Sequence, residues 1–116
     1  MKRLDPSQAT PNASALVSGW DAAAKAGPQA QLDWLHRALE TAIQLEFSTI
    51  PPYLTALWSI KDQTSPVALA IRGVVQEEML HMALACNMLV AVGGTPPIAD
   101  AAFAPIYPGP LPGGVH

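Results

Sequence analysis

The chain has 116 residues, of which 50% are hydrophobic and 13% are charged, with a formal net charge of −3. This length suits one domain, residues 1–116, with a modest core, and the absence of a basic run argues against a nucleic-acid partner. Cys86 is the single cysteine, so no internal disulfide can form. This cysteine content and the lack of an apolar signal core after residues 1–5 indicate a cytoplasmic protein. The longest apolar run, residues 79–92, is too short to span a bilayer, so we expect no membrane partner.

An N-terminal helix is predicted from its boundary residues. Thr10 and Pro11 form a start signal, with threonine as the cap and proline in the first turn. Gly27 provides the stop signal. We therefore expect residues 1–27 to form an N-terminal helical arm.

The second helix is predicted to begin at Pro28 and to run to about Ile50. Its apolar residues recur at three- or four-residue steps, the helical period, at Leu32, Leu35, Leu39, Ile43 and Ile50. Pro51 and Pro52 are expected to kink or break this helix, because two backbone donors are missing together. Helix can resume over residues 53–60.

A third helix is indicated by Ser65 and Pro66 at its start and by Gly93 and Gly94 at its end. Because the link between the second and third helices is short, the two should pack as an antiparallel hairpin over residues 28–94. No strand pattern competes with these helices. The predicted fold class is therefore all-α.

Residues 95–116 differ in composition from the helical part. They contain six prolines and three glycines, and Asp100 is their only charged residue apart from the terminal histidine. Pro-rich disordered segments are usually polar or charged. This segment instead carries large apolar side chains at Phe103, Ile106, Tyr107 and Leu111. We expect a Pro/Gly-rich strap that lies extended on the helices.

Three ionisable residues fall on the apolar seams of the second and third helices. Residues seven apart share a helix face to within about 20°. Glu46 lies seven residues after the apolar Leu39. Glu78 and His81 each lie seven residues after an apolar seam residue of the third helix. All three are therefore expected to point where the apolar side chains point.

A glutamate that faces a Glu-x-x-His pair on the next helix forms half of a di-metal carboxylate site. At positions i and i+3 a carboxylate and an imidazole project together, so both can reach one ion at about 2 Å. No basic residue lies on either seam to neutralise the carboxylates. Oxygen ligands combined with imidazole suit iron or manganese. The predicted metal ligands are Glu46, Glu78 and His81.

Structural interpretations compete with the metal site. A lone seam glutamate often reaches solvent or pairs with a basic residue, and a lone seam histidine is often a core residue bonded to backbone. Glu40 and Glu77 fall off the seams. Other side chains are interpreted as follows: Cys86 as a small core residue, His36 as solvated, Met79, Met82 and Met88 as packing residues, and Trp34 and Trp58 as core or interface anchors.

A resemblance to the ferritin-like domain of iminophenyl-pyruvate dimer synthases is carried by two segments, LETAIQLEFSTIPPYLTALWSI and IRGVVQEEMLHMALACNMLVAVGGTPPI. Those enzymes belong to violacein- and rebeccamycin-type pigment pathways, and the domain also occurs in uncharacterised bacterial proteins. The resemblance runs from about Leu32 to Pro112. It implies a ferritin-like helical bundle with Glu46, Glu78 and His81 at ligand positions. In that family the tail segment FAPIYPGPLPGG continues into a second helical pair.

We therefore expect a half-bundle that a homodimer completes to four long helices. Two copies supply four glutamates and two histidines, with Glu78 bridging two iron or manganese ions and with Glu46 and His81 each terminal on one. The expected activities are those of an oxidoreductase: oxygen or peroxide activation, or ferrous oxidation, with an unspecified small-molecule substrate.

Two alternatives remain open. One is a non-catalytic helical scaffold or interaction module, in which the seam carboxylates are protonated or hydrogen-bonded to each other. The other is a fragment of a larger enzyme similar to the iminophenyl-pyruvate dimer synthases.

Overall fold

The computed structural model describes residues 13–109, which form three α-helices and two short 3-10 turns. The helices are α1 (Ala13–Ala26), α2 (Pro28–Trp58) and α3 (Pro66–Ala91), and the turns are Pro97–Ala99 and Ala101–Phe103. This part of the chain contains no strand, so the all-α prediction is confirmed for it. None of its helices is both long enough and apolar enough to cross a membrane.

Glycine, serine and proline set the helix boundaries. Gly27 separates α1 from α2 with a φ of 104°, a backbone conformation that glycine adopts readily. Ser65 caps α3, because its hydroxyl oxygen accepts a hydrogen bond from the Ala68 backbone N–H at 3.3 Å. Gly93 ends α3 with a φ of 82°. The predicted start of the first helix at Thr10 lies outside the described residues.

The sequence predicted a kink or a break of the second helix at Pro51 and Pro52. The break does not occur, since α2 is continuous through both prolines. Each proline lacks the N–H that would bind the carbonyl four residues earlier, so the carbonyls of Phe47 and Ser48 lose their helical donors. The Tyr107 hydroxyl donates a hydrogen bond to the Ser48 carbonyl. The strap therefore replaces, from outside the helix, one of the two donors that the prolines remove.

The main core lies between α2 and α3, which pack antiparallel. Ile43 of α2 and Leu89 of α3 are completely buried, with Leu39 and Ala85 beside them. Partly buried apolar side chains extend this core: Leu35, Ala42, Met82, Cys86, Val92 and Phe103. A fully buried leucine or isoleucine contributes about 1.5 to 3 kcal/mol. The hairpin is therefore the stable unit from which any site between these helices is built.

Two tryptophans attach α1 to the beginning of α2. The Trp34 indole N–H donates to the Leu16 carbonyl at 2.8 Å, and the rings of Trp20 and Trp34 meet edge to face with centroids 5.0 Å apart. Ala23 is buried in this contact region of α1. Trp34 is thus an anchor as predicted, whereas Trp58 is 72% exposed and does not belong to the core of the single chain.

The prediction that His36 is solvated is wrong. His36 is half-buried, and its Nε2 lies 2.9 Å from the Val92 carbonyl oxygen at the end of α3. The prediction considered only the position of His36 on its own helix. The packing of the hairpin brings the C-terminal end of α3 beside it.

The described part of the strap, residues 95–109, lies against α2. Phe103 stacks on Phe47 with ring centroids 6.4 Å apart and packs against the core. The segment is not extended throughout, because the Asp100 carboxylate accepts a backbone N–H at 2.9 Å and caps the second 3-10 turn. Leu111 lies outside the described residues.

Replacing Tyr107 by phenylalanine should lower the free energy of unfolding by about 1 kcal/mol, because the Ser48 carbonyl loses its donor. Urea denaturation followed by circular dichroism measures the change. Tyr53→Phe is the matched control, since the Tyr53 ring is similarly exposed and its hydroxyl has no hydrogen-bond partner within residues 13–109. Equal stability of the wild type and Tyr107→Phe would contradict this role of the strap.

Candidate metal centre

Glu46, Glu78 and His81 come together between α2 and α3. Each side chain offers one ligand atom, and the three atoms lie within 4.8 Å of one another. Glu78 and His81 are neighbours on α3, because residues three apart lie close together on a helix surface. Glu46 faces them from α2. The structure thus brings together all three residues predicted from the sequence.

This cluster is covered on one side and open on the other. The Glu46 side chain is 22% exposed and the His81 side chain is 52% exposed, with His81 Nδ1 lying 3.7 Å from Glu46 Oε2. Glu78 is half-buried. The sequence places His81 on the apolar face of α3, and in the single chain this part of that face is open to solvent. The apolar seam of α3 is wider than its contact with α2, so the part of the seam that carries His81 stays exposed.

The two carboxyl groups have different affinities for protons. Burial, together with a hydrogen bond to Glu78, raises the pKa of Glu46 above its ordinary value. The hydrogen bond with Glu46, assisted by one from Thr49, lowers the pKa of Glu78. The interaction between the two carboxyl groups therefore favours the protonated form of Glu46 and the ionised form of Glu78.

The donor set fits iron or manganese. Carboxylate oxygens and imidazole nitrogens are ligands that these ions accept. In the part of the chain that the structure describes, no lysine or arginine lies within ion-pair distance of either carboxylate. Two ionised carboxylates with ligand atoms within 4.8 Å of each other repel by roughly 3 kcal/mol or more at an effective dielectric constant of about 20. A dication would relieve this repulsion, and the three residues match the glutamate and the Glu-x-x-His pair that facing helices contribute to di-metal carboxylate sites.

Thr49 contacts the cluster but was not among the predicted site residues. Its hydroxyl donates to Glu78 Oε2 at 3.0 Å and lies 2.8 Å from the Glu46 carbonyl oxygen. The sequence does contain a signal, because Thr49 follows Glu46 by three positions and so lies on the same helix face. That signal does not reveal Glu78 as the partner, because the contact depends on how the two helices pair.

Other titratable side chains considered from the sequence lie outside the cluster. Glu40 and Glu77 are exposed. Cys86 packs against the core, where burial raises the pKa of its thiol. These positions agree with the structural interpretations of the three residues.

Apolar side chains border the open side of the cluster. Tyr53 lies seven residues after Glu46, and Met88 lies seven residues after His81, so each shares the helix face of a candidate ligand. Both are exposed, Met88 to 57%, and Leu84 is exposed near Met88. Met79 is exposed to 51% as well, so the interpretation of Met79 and Met88 as packing residues is wrong for a single chain. We refer to Tyr53, Leu84 and Met88 as the open apolar surface.

Comparison with known families supports the general type of the domain. A family model described as ferritin-like matches residues 39–116, which is more than half of the chain and includes all three clustered residues. No curated protein and no solved structure matches the chain. The comparison supports the ferritin-like part of the resemblance and does not single out the iminophenyl-pyruvate dimer synthase type.

The shifted pKa values of Glu46 and Glu78 predict how pH affects the stability of the metal-free protein. Because the pKa of Glu46 is raised on folding, its contribution falls as pH rises from the ordinary value of 4.5 through the raised value. Because the pKa of Glu78 is lowered, its contribution is present above 4.5 and is lost as pH falls through the lowered value. The contribution of the pair should therefore be greatest near the ordinary carboxyl pKa.

Denaturation in the presence of a chelator, repeated over a pH series, measures this effect. Glu46→Gln keeps a hydrogen-bond donor but cannot ionise. It should therefore abolish the part of the fall in stability above the ordinary carboxyl pKa that the ionisation of Glu46 causes. Glu40→Gln, at an exposed position, is the control and should leave the profile unchanged. If the profiles of the wild type and Glu46→Gln run parallel, the raised pKa of Glu46 is excluded as the cause of the decline.

Proposed function

Because this chain belongs to the ferritin-like family, we propose that it is a di-metal carboxylate protein that binds iron or manganese between two copies of the chain. The observation that carries the proposal is the convergence of Glu46, Glu78 and His81, with ligand atoms within 4.8 Å of one another. Ferritin-like di-metal sites are built from glutamates and Glu-x-x-His pairs on facing helices. One chain supplies one glutamate and one such pair.

A second copy would supply the missing half of the site. Closed two-fold dimers are the commonest assemblies, and their interfaces are self-complementary. The open apolar surface supports this arrangement, because it borders the cluster and is uncovered in the single chain. Exposed apolar surface of this kind marks interaction sites. A two-fold partner placed there would bring a second set of Glu46, Glu78 and His81 to the first.

The residues of each copy would have separate tasks. Glu46, Glu78 and His81 would hold the metal pair, which when bound supplies redox chemistry for activating oxygen or peroxide or for oxidising ferrous iron. Glu46, whose pKa is raised, must be ionised to bind a metal, so metal binding would release any proton that it carries. The open apolar surface would exclude water from the site once the second copy covers it.

A scaffold function is the second candidate, and one observation favours it. The hydrogen bond between Glu46 and Glu78 satisfies the two carboxyl groups without a metal. A folded wild-type protein that takes up no iron or manganese would support the scaffold function over the di-metal function.

The resemblance to iminophenyl-pyruvate dimer synthases suggests another way to complete the bundle, in which one longer chain carries both hairpins. If the present chain forms a dimer that shares metal between its copies, the two-copy arrangement is supported. A metal-loaded monomer would contradict it.

After anaerobic loading with ferrous iron, we expect about one bound ion per chain, measured by elemental analysis of the desalted protein. Glu78→Ala and His81→Ala should each reduce the iron content strongly, because each removes a ligand. Glu77→Ala is the matched control, since Glu77 is adjacent in sequence but exposed and outside the cluster. Iron content near zero in the wild type, or an equal loss in Glu77→Ala, would refute the assigned site.

Met88→Lys should weaken the dimer and, with it, metal binding, because it places a charge on the open apolar surface, on the same face of α3 as His81. Val90→Lys is the matched control, because Val90 is 58% exposed against 57% for Met88. Val90 points about 180° away from His81 around the axis of α3, so it lies on the opposite side of the helix. Sedimentation velocity with and without iron measures both effects. Dimers of equal strength in the two variants would place the interface elsewhere.

A further inference from the structure

We propose that Thr49 is a positioning residue for the Glu78 carboxylate, acting through a hydrogen bond that connects α2 to α3. The inference deepens the proposed function and rests on it. In this role Thr49 does not touch the metal. It sets the direction in which a metal-binding carboxylate points.

The Thr49 hydroxyl lies between the two glutamates. It donates to Glu78 Oε2 at 3.0 Å, and its oxygen is 2.8 Å from the backbone carbonyl oxygen of Glu46. A hydroxyl has one proton to donate, and hydrogen bonds to a charged acceptor are roughly twice as strong as those to a neutral one. The carboxylate is therefore the stronger acceptor. The Thr49 hydroxyl of α2 thus holds the Glu78 carboxylate of α3 close to the helical turn that carries Glu46.

The branched side chain of Thr49 makes this contact stiff. In a helix, threonine is divided between two χ1 rotamers because its hydroxyl can approach the carbonyl three or four residues earlier. The approach to the Glu46 carbonyl selects one rotamer, and in that rotamer the hydroxyl reaches Glu78. Thr49 is also half-buried, so water competes less for the same bond.

This hydrogen bond is compatible with metal binding. The hydroxyl donates its own proton, so it can bond Glu78 when both carboxylates are ionised, the state that metal ligation requires. Holding Oε2 restricts rotation of the Glu78 carboxylate about its last side-chain bond. The orientation of the other Glu78 carboxylate oxygen is thereby fixed. A ligand atom that is already oriented loses less conformational freedom when a metal binds.

Thr41 shows what a threonine on the same helix does without this contact. Its hydroxyl donates to the Arg37 carbonyl at 2.8 Å, within α2, and the residue lies outside the cluster. The Thr49 hydroxyl also lies near a backbone carbonyl, but its single proton is directed to Glu78 Oε2. Thr41→Val is therefore the matched control for loss of a helical threonine hydroxyl.

The test measures Co²⁺ binding to the full chain, with affinity from chelator competition and ligand arrangement from the visible absorption spectrum. Thr49→Val should weaken binding about 10- to 100-fold, the usual effect of removing a partner hydrogen-bonded to a metal ligand, and should alter the spectrum. Thr49→Ser keeps the hydroxyl and should recover affinity and spectrum. Thr41→Val should bind as the wild type does.

Wild-type affinity and spectrum in Thr49→Val would overturn the inference. Equal losses in Thr49→Val and Thr49→Ser would also overturn it, because the methyl group rather than the hydroxyl would then matter. If circular dichroism shows that valine disturbs folding, Thr49→Ala and Thr49→Ser give the same contrast, since they differ only by the hydroxyl. Failure of the wild type to bind Co²⁺ would instead overturn the proposed function, and this inference with it.

Discussion

Two carboxyl groups meet at the interface of α2 and α3, and no lysine or arginine within residues 13–109 neutralises them. If both were ionised with ligand atoms within 4.8 Å of each other, they would repel by roughly 3 kcal/mol or more at an effective dielectric constant of about 20, which matches the gain from burying a large apolar side chain. Two features ease this repulsion in the metal-free protein: the raised pKa of Glu46, which favours its protonated form, and the hydrogen bond from the Thr49 hydroxyl to Glu78. A bound dication would ease it further.

The strap and the cluster occupy different sides of α2. Residues two apart on a helix differ in direction by about 200°, so Ser48 faces away from Glu46. Tyr107 donates to the Ser48 carbonyl, and Phe103 stacks on the neighbouring Phe47. Residues 95–109 of the strap therefore support α2 where the prolines remove its donors, and these contacts with Phe47 and Ser48 lie away from the side that carries Glu46.

The local part of the fold and the clustered residues could be predicted from the sequence. Glu46, Glu78 and His81 were found from their spacing along each helix, and Ser65 and Gly93 marked the ends of α3 because capping acts within one turn. The errors have a common origin. The break of α2 was expected because local rules do not include a donor that comes from a distant segment, and His36 was misplaced because its acceptor lies on another helix.

The sequence by itself determined the helices and the face on which each candidate ligand lies, because helical periodicity and capping are set by residues a few positions apart. Only the tertiary structure decided which groups assist those ligands and which side of the cluster stays open. Thr49 and Glu78 are 29 residues apart, and Tyr107 and Ser48 are 59 apart. Contacts over such separations depend on the register and rotation of packed helices, and small changes in either move a hydroxyl beyond hydrogen-bond distance.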